Sequence, residues 1–124
     1  MEKIILVQLD GGQERKIRRM AESKKIQVIV IGQGIRDDVT VGQLLDASNQ
    51  DLVSDSQNKI PGESLVLFSD VSEKHFDKLL FEMRSAKIDV DYKAVVTKTN
   101  INWPLCRLFS ELDREKRQYQ SSIK

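Results

Sequence analysis

Short apolar runs alternate along the chain with segments in which apolar residues recur every three or four positions. Four runs have the length and aliphatic content of strands, at residues 4–7, 26–31, 65–68 and 94–96. Four segments carry apolar side chains at helical spacing, at residues 13–25, 41–45, 73–83 and 105–112. The pattern therefore predicts strand-helix-strand-helix twice, and polar residues 48–62 are expected to form a linker between the two halves.

The two halves align with similar offsets. The offset is about 61 residues for the first strands, about 65 for the second strands and about 62 for the last helices. We therefore expect a single domain, 1–124, made of pseudo-repeats 3–47 and 63–117, which is typical of an internal duplication.

Strands that alternate with helices favour parallel pairing, because parallel neighbours need a long crossover connection. Two such units predict an α/β fold with a four-stranded, mostly parallel sheet in the order 2-1-3-4 and helices on both faces. The first and third helices are expected on opposite faces. The alternative is a ferredoxin-like α+β sandwich with antiparallel strands and all helices on one face.

The amino-acid composition mainly excludes certain partners and cross-links. The chain has 20 Lys and Arg against 19 Asp and Glu, so its net charge of +1 implies neither a nucleic-acid nor a membrane partner. Cys106 is the single cysteine, which excludes an intramolecular disulfide. The apolar run at 4–7 is too short for a signal peptide or a membrane span. A cytoplasmic location is expected.

The expected strand order places a candidate ligand site at the carboxyl ends of the first and third strands, where open α/β sheets bind ligands. The residues there are Asp10, Gly11 and Gly12 on one side, and Ser69, Asp70 and Ser72 on the other. Glycines allow close approach to the backbone, and helix starts attract anions. The same residues are also ordinary turn and capping residues.

Catalytic and metal-binding motifs are not evident. No phosphate-binding loop or nucleophile elbow is present, and the single histidine, His75, is expected to be an exposed residue near a helix start. Cys106 is expected to be a small buried side chain. Arg15, Arg18 and Arg19 share a helix face with acidic residues at i, i+4 spacing, which favours a solvated, self-paired face. We expect no catalytic residues, no metal and no cofactor.

The most distinctive stretch is KAVVTKTNINW, at residues 93–103. Together with the strand at 65–68 and the helix carrying Phe76, Leu79 and Leu80, it resembles a family of small bacterial proteins catalogued as domain of unknown function 3783. The resemblance covers residues 63 to 117 and the first half only loosely. It implies a bacterial cytosolic protein and transfers no activity. Its motif singles out Thr97, Thr99, Asn100 and Trp103, which predicts either a structural turn or a loop that extends the crevice beside Asp70.

Two functions stay open at this point. The first is a non-enzymatic binding or regulatory module with a protein or small-molecule partner, and homodimerisation is possible in that case. The second is a small enzyme or ligand sensor that uses the predicted crevice, with Asp10 or Asp70 as acid or base. The second function requires both carboxylates to face one pocket.

Overall fold

The computed structural model describes residues 1–32, 34–45 and 60–122. Most of the predicted linker, residues 48–59, lies outside the described residues. Within them the strands are β1 (Lys3–Val7), β2 (Gln27–Ile31), β3 (Leu65–Ser69) and β4 (Tyr92–Val95). The helices are α1 (Gly11–Glu22), α2 (Val41–Leu44), α3 (Glu73–Ser85) and α4 (Leu105–Ser122), and a 3₁₀ helix precedes α4 at Asn100–Asn102. No helix of this described part is long and apolar enough to cross a membrane.

The four strands form one sheet in the order β2-β1-β3-β4, which confirms the predicted order. The β1–β2 and β3–β4 pairs are parallel, which agrees with a mostly parallel α/β sheet. The central β1–β3 pair is antiparallel, with Lys3 opposite Ser69 and Val7 opposite Leu65. The two parallel pairs exclude the all-antiparallel ferredoxin-like alternative.

The antiparallel central pair changes where the first and third helices lie. Right-handed crossovers, which are nearly universal, place both helices on one face when the two β-α-β units run in opposite directions. The observed packing agrees, because Ile17 of α1 and Leu79 of α3 share one apolar cluster. The expectation that these helices lie on opposite faces is therefore wrong.

The chain forms two compact units, and each takes residues from both halves of the sequence. The first unit comprises Met1–Gln33 and Gly62–Thr97, and so contains the sheet, α1 and α3. The second unit comprises Gly34–Pro61 and Lys98–Lys124, and contains α2, the 3₁₀ helix and α4.

One apolar cluster holds the helices of the first unit against the sheet. Its buried members are Ile4, Leu6, Ile17, Ala21, Ile26, Val66, Phe68, Leu79, Met83, Ile88 and Val90. Full burial of a large aliphatic side chain contributes roughly 1.5–3 kcal/mol, so this cluster contributes strongly to the stability of the unit. Lys24, whose side chain is only 6% exposed, forms an ion pair with Glu82 and so links the ends of α1 and α3.

Corresponding positions in the first unit lie 62 residues apart. Left-handed φ angles occur at Gln8 and Asp70, after β1 and β3, and again at Lys25 and Lys87, after α1 and α3. The core follows the same spacing in the pairs Ile4/Val66, Leu6/Phe68, Ile17/Leu79, Ala21/Met83 and Ile26/Ile88. The two β-α-β segments of the sheet therefore share their element order, these left-handed positions and the spacing of these core residues.

The second unit is organised around the start of α2. The side chain of Thr40 accepts a hydrogen bond from the Gln43 amide, and the Gln43 side chain accepts one from the Thr40 amide, which makes a capping box. The amide of Val41 donates to the Trp103 carbonyl at 3.0 Å, and that of Leu105 donates to Val39 at 2.7 Å. These bonds join the segment around α2 to the start of α4.

Candidate functional site

The crevice predicted between Asp10 and Asp70 does not form. Because β1 and β3 are antiparallel, the carboxyl end of β3 lies beside the amino end of β1, with Ser69 opposite Lys3. Asp10 follows the other end of β1. The two groups of predicted residues therefore lie at opposite ends of the central strand pair, and each group is described by itself below.

Asp10, Gly11 and Gly12 form the start of α1. The Asp10 side chain accepts a hydrogen bond from the Gln13 amide at 2.8 Å, as an N-cap residue does. Gly11 and Gly12 are the first two helical residues. Gly12 also borders a hollow on the helix surface, together with Arg15, Lys16 and Arg19. The capping interpretation of Asp10 is therefore correct, and the hollow is a feature that the sequence did not predict.

Ser69, Asp70 and Ser72 lie together where β3 leads into α3. The Asp70 carboxylate is exposed and accepts a hydrogen bond from the amino group of Met1 at 2.9 Å. This contact lowers the pKa of Asp70, which keeps the side chain ionised at neutral pH. Ser72 caps α3, because its hydroxyl accepts from the His75 amide at 3.2 Å.

His75 lies in the first turn of α3, as the sequence predicts, but its side chain is only partly exposed and contacts Glu2. Its ring Nδ1 lies 2.7 Å from Oε2 of Glu2, and the same carboxylate accepts a hydrogen bond from the Ser72 amide at 2.9 Å. These hydrogen bonds, chiefly the one from the Ser72 amide, lower the pKa of Glu2. The pair was missed because no local pattern connects residues so far apart in sequence.

A cavity of about 330 Å³ opens between the carboxyl ends of β3 and β4 and the start of α3. We call it the β3–β4 cavity; its lining residues are Phe68, Asp70, Val71, Glu73, Phe76, Val95 and Val96. Five of these seven side chains are apolar, and the rings of Phe68 and Phe76 meet edge to face with centroids 5.0 Å apart.

Two carboxylates border this apolar lining. Asp70 and Glu73 are both exposed, whereas Phe68 is buried. Val95, on the edge strand β4, remains 48% exposed. The arrangement suits a group that is apolar and positively charged at once, because the lining removes apolar surface from water while the carboxylates attract a cation.

The loop after β4 divides between the two units. Thr97 ends the segment that belongs to the first unit, whereas Thr99 and Asn100 belong to the second. Thr99 precedes the 3₁₀ helix without capping it through its side chain, and the Asn100 carbonyl accepts from the Trp103 amide at 3.0 Å. Val96, just before this loop, lines the cavity, and its amide donates to the Phe68 carbonyl at 2.9 Å.

Trp103 and Cys106 lie at the start of α4. The Arg107 guanidinium stacks over the Trp103 ring at 4.3 Å from its centroid, a cation–π contact. Cys106 is exposed, so the prediction that it is buried is wrong. The buried residues Leu105, Leu108 and Phe109 form an apolar stripe on α4, and Cys106 lies to one side of it. Among the residues that the structure describes, no group of three His, Cys, Asp or Glu side chains is placed to hold a metal ion.

The comparisons with known proteins bear on the second half of the chain. No curated protein and no solved structure matches. A family model matches residues 64–119, which include β3, α3, β4 and the whole lining of the β3–β4 cavity. This match confirms the resemblance carried by the 93–103 motif. Over residues 64–119, the chain is similar to the family described as Domain of unknown function (DUF3783).

Proposed function

We propose that the chain is a non-enzymatic binding module whose β3–β4 cavity receives a segment of a protein partner. The observation that carries this proposal is the apolar lining of the cavity beneath the carboxylates of Asp70 and Glu73. A volume of about 330 Å³ lies at the lower end of ligand pockets, which extend from about 300 to 1,000 Å³, and suits one or two side chains.

The carboxylates of Asp70 and Glu73 at the edge of the cavity determine which partner fits. An apolar side chain next to Lys or Arg would bury its apolar part against Val71, Phe76 and Val95. Its charge would meet Glu73 and also Asp70, whose carboxylate it would share with the amino group of Met1. A peptide with an acidic residue in that position would meet like charges and be rejected. The occupant we propose is therefore an apolar–basic segment of another protein.

The enzyme or sensor alternative loses the feature on which it depended. That hypothesis needed Asp10 and Asp70 in one pocket, whereas the antiparallel β1–β3 pair separates them. The lowered pKa of Asp70 also makes this carboxyl a poor proton donor at neutral pH. We therefore do not propose it further.

We also propose that the protein works in the bacterial cytosol and arose by internal duplication. The first part rests on the family resemblance over residues 64–119. The second is supported by contacts that recur with the same spacing. The Gln8 side chain donates to the Glu63 carbonyl, and the Met1 amino group donates to the Asp70 side chain. Asp70 lies 62 residues after Gln8, and Met1 lies 62 residues before Glu63.

The test is a titration of ¹⁵N-labelled protein with pools of capped hexapeptides. The central pair of each pool is apolar–basic, apolar–acidic or apolar–neutral. We expect the apolar–basic pool to shift the amide signals of Val71, Phe76 and Val95. Because exposed charge pairs are worth up to about 1 kcal/mol each, Asp70→Asn/Glu73→Gln should weaken binding roughly fivefold to thirtyfold.

The matched control is Glu22→Gln/Asp77→Asn. It removes the same two charges from exposed positions that do not line the cavity. It should leave peptide affinity within about twofold, as is usual for a distant surface change. Shifts that map outside the cavity, equal binding of all three pools, or an equal loss in the control would each refute the proposal.

A further inference from the structure

Helix α1 of the first unit carries a second surface feature. It is basic, whereas the β3–β4 cavity is bordered by carboxylates. Gly12, Arg15, Lys16 and Arg19 border a hollow of about 280 Å³, which we call the basic hollow. All four are exposed and share one helix face, because their spacing is i, i+3, i+4 and i+7. The sequence predicts a self-paired face here, and that holds for Arg18, which lies 3.2 Å from Glu14.

The three cations of the hollow differ from Arg18. In the part of the chain that the structure describes, neither Arg15, Lys16 nor Arg19 forms an ion pair. The Nε of Arg15 donates to the Gly11 carbonyl at 3.2 Å, which fixes the base of its guanidinium group and leaves the terminal nitrogens for another acceptor. The hollow is therefore bordered by three cationic groups that form no ion pair within the described part of the chain.

This arrangement costs helix stability. Like charges at i, i+4, such as Arg15 and Arg19, repel each other, and cations near a helix start oppose its dipole. Glycine is a poor helix former, yet Gly12 has an ordinary helical backbone and no left-handed φ angle. The fold does not impose these choices, because the equivalent positions of α3 hold Lys74, Asp77, Lys78 and Phe81.

We propose that the basic hollow binds the phosphoryl group of a small phosphomonoester. A phosphomonoester dianion offers two negative charges and three acceptor oxygens to two guanidinium groups and one ammonium group. Gly12, which has no side chain, borders one side of the hollow. Nucleic acid fits less well, since the four residues that border the hollow include no aromatic side chain on which bases could stack.

The experiment uses the whole chain and three probes at constant ionic strength: inorganic phosphate, glycerol 3-phosphate and a 12-nucleotide single-stranded RNA. Binding is followed by the Nε–Hε signals of the arginines and by the backbone amides of α1. We expect both phosphate probes to shift the Arg15 and Arg19 signals in a saturable manner. Because the proposed ligand is a phosphomonoester, glycerol 3-phosphate should bind more tightly than inorganic phosphate, and the reverse order would overturn the proposal.

Arg15→Gln/Arg19→Gln should weaken phosphate-probe binding at least tenfold. The matched control is Arg18→Gln/Arg84→Gln, which removes two exposed arginine charges outside the hollow and should change affinity less than twofold. Shifts no greater than those caused by chloride, or an equal loss in the control, would overturn the proposal. Tighter binding of the RNA than of either phosphate probe would replace it with a nucleic-acid surface.

Discussion

The Nδ1 atom of His75 and the Oε2 atom of Glu2 lie 2.7 Å apart, although 73 residues separate them in the sequence. The contact ties the residue before β1 to the first turn of α3, and it exists because β1 runs antiparallel to β3. The Ser72 amide donates to the same carboxylate. Glu2 therefore serves as a second cap for α3, supplied by a distant part of the chain.

This cap makes stability depend on pH. The pKa of Glu2 is lowered from 4.5 in the folded state, so the ionised carboxylate stabilises the fold fully above pH 4.5. That contribution is lost as the pH falls through the lower folded-state pKa. We expect Glu2→Gln to reduce the free energy of unfolding at pH 7, and the difference from wild type to shrink below pH 4.5. Urea denaturation of both proteins from pH 7 to pH 3 measures this. Glu22→Gln is the control, and a wild-type difference that grows on acidification contradicts the argument.

The apolar cluster of the first unit sets a second expectation. Leu79 is fully buried, so Leu79→Ala should lower the free energy of unfolding by about 2–5 kcal/mol through lost burial and a residual cavity. Phe81 lies two residues further along α3 and is 64% exposed, so Phe81→Ala should change stability by less than about 0.5 kcal/mol. Chemical denaturation distinguishes the two. A similar cost for both variants would show that Phe81 is covered in solution.

The left-handed residues after α1 and α3 give a third expectation. Lys25 and Lys87 have φ angles of 59° and 57°, a conformation that costs an ordinary residue roughly 1–2 kcal/mol and glycine almost nothing. Glycine also raises the entropy of the unfolded chain, which offsets part of the gain. Lys25→Gly and Lys87→Gly should each stabilise the protein by up to about 1 kcal/mol, measured by thermal and urea unfolding.

Lys78 is the control for these variants, because it lies within α3. Lys78→Gly should destabilise by about 1 kcal/mol through the poor helix propensity of glycine. If Lys25→Gly and Lys87→Gly lowered the free energy of unfolding as Lys78→Gly does, the backbone at residues 25 and 87 could not be left-handed.

Two helical glycines should respond with opposite sign to the same substitution. A Cβ atom at Gly42 would lie 3.2 Å from the Ile101 carbonyl oxygen, a backbone atom that cannot easily move, whereas nothing lies within 4 Å of the Cβ position at Gly11. Gly42→Ala should therefore destabilise the second unit despite the better helix propensity of alanine. Gly11→Ala should be neutral or stabilising by up to about 1 kcal/mol. Unfolding curves of both variants test this, and equal stabilisation would refute the close contact.

Much of the sheet could be predicted, since runs such as residues 65–68 and helix caps such as Ser72 and Thr40 depend on local chemistry. Strand direction could not, because an apolar run reads the same both ways and a linker of about 15 residues can reach either end of a strand. Because the direction of β3 was predicted wrongly, the crevice was predicted where none forms, and the Glu2–His75 contact was not predicted. The sequence analysis did select Asp70, which borders the β3–β4 cavity. The apolar lining could not be predicted, because its residues follow the same sequence pattern as residues of a buried core.

The division of the chain into two interleaved units constrains the order of folding during synthesis. The first unit needs residues up to Thr97, and the second unit takes its remaining part from Lys98 onward. Neither unit can fold completely while only the first half of the chain has left the ribosome. Until β3 is synthesised, one edge of β1 stays unpaired. An isolated 64–119 fragment would contain β3 without β1 and face the same exposed edge permanently. We expect such a fragment to aggregate more readily than the full chain, in which β1 covers this edge of β3.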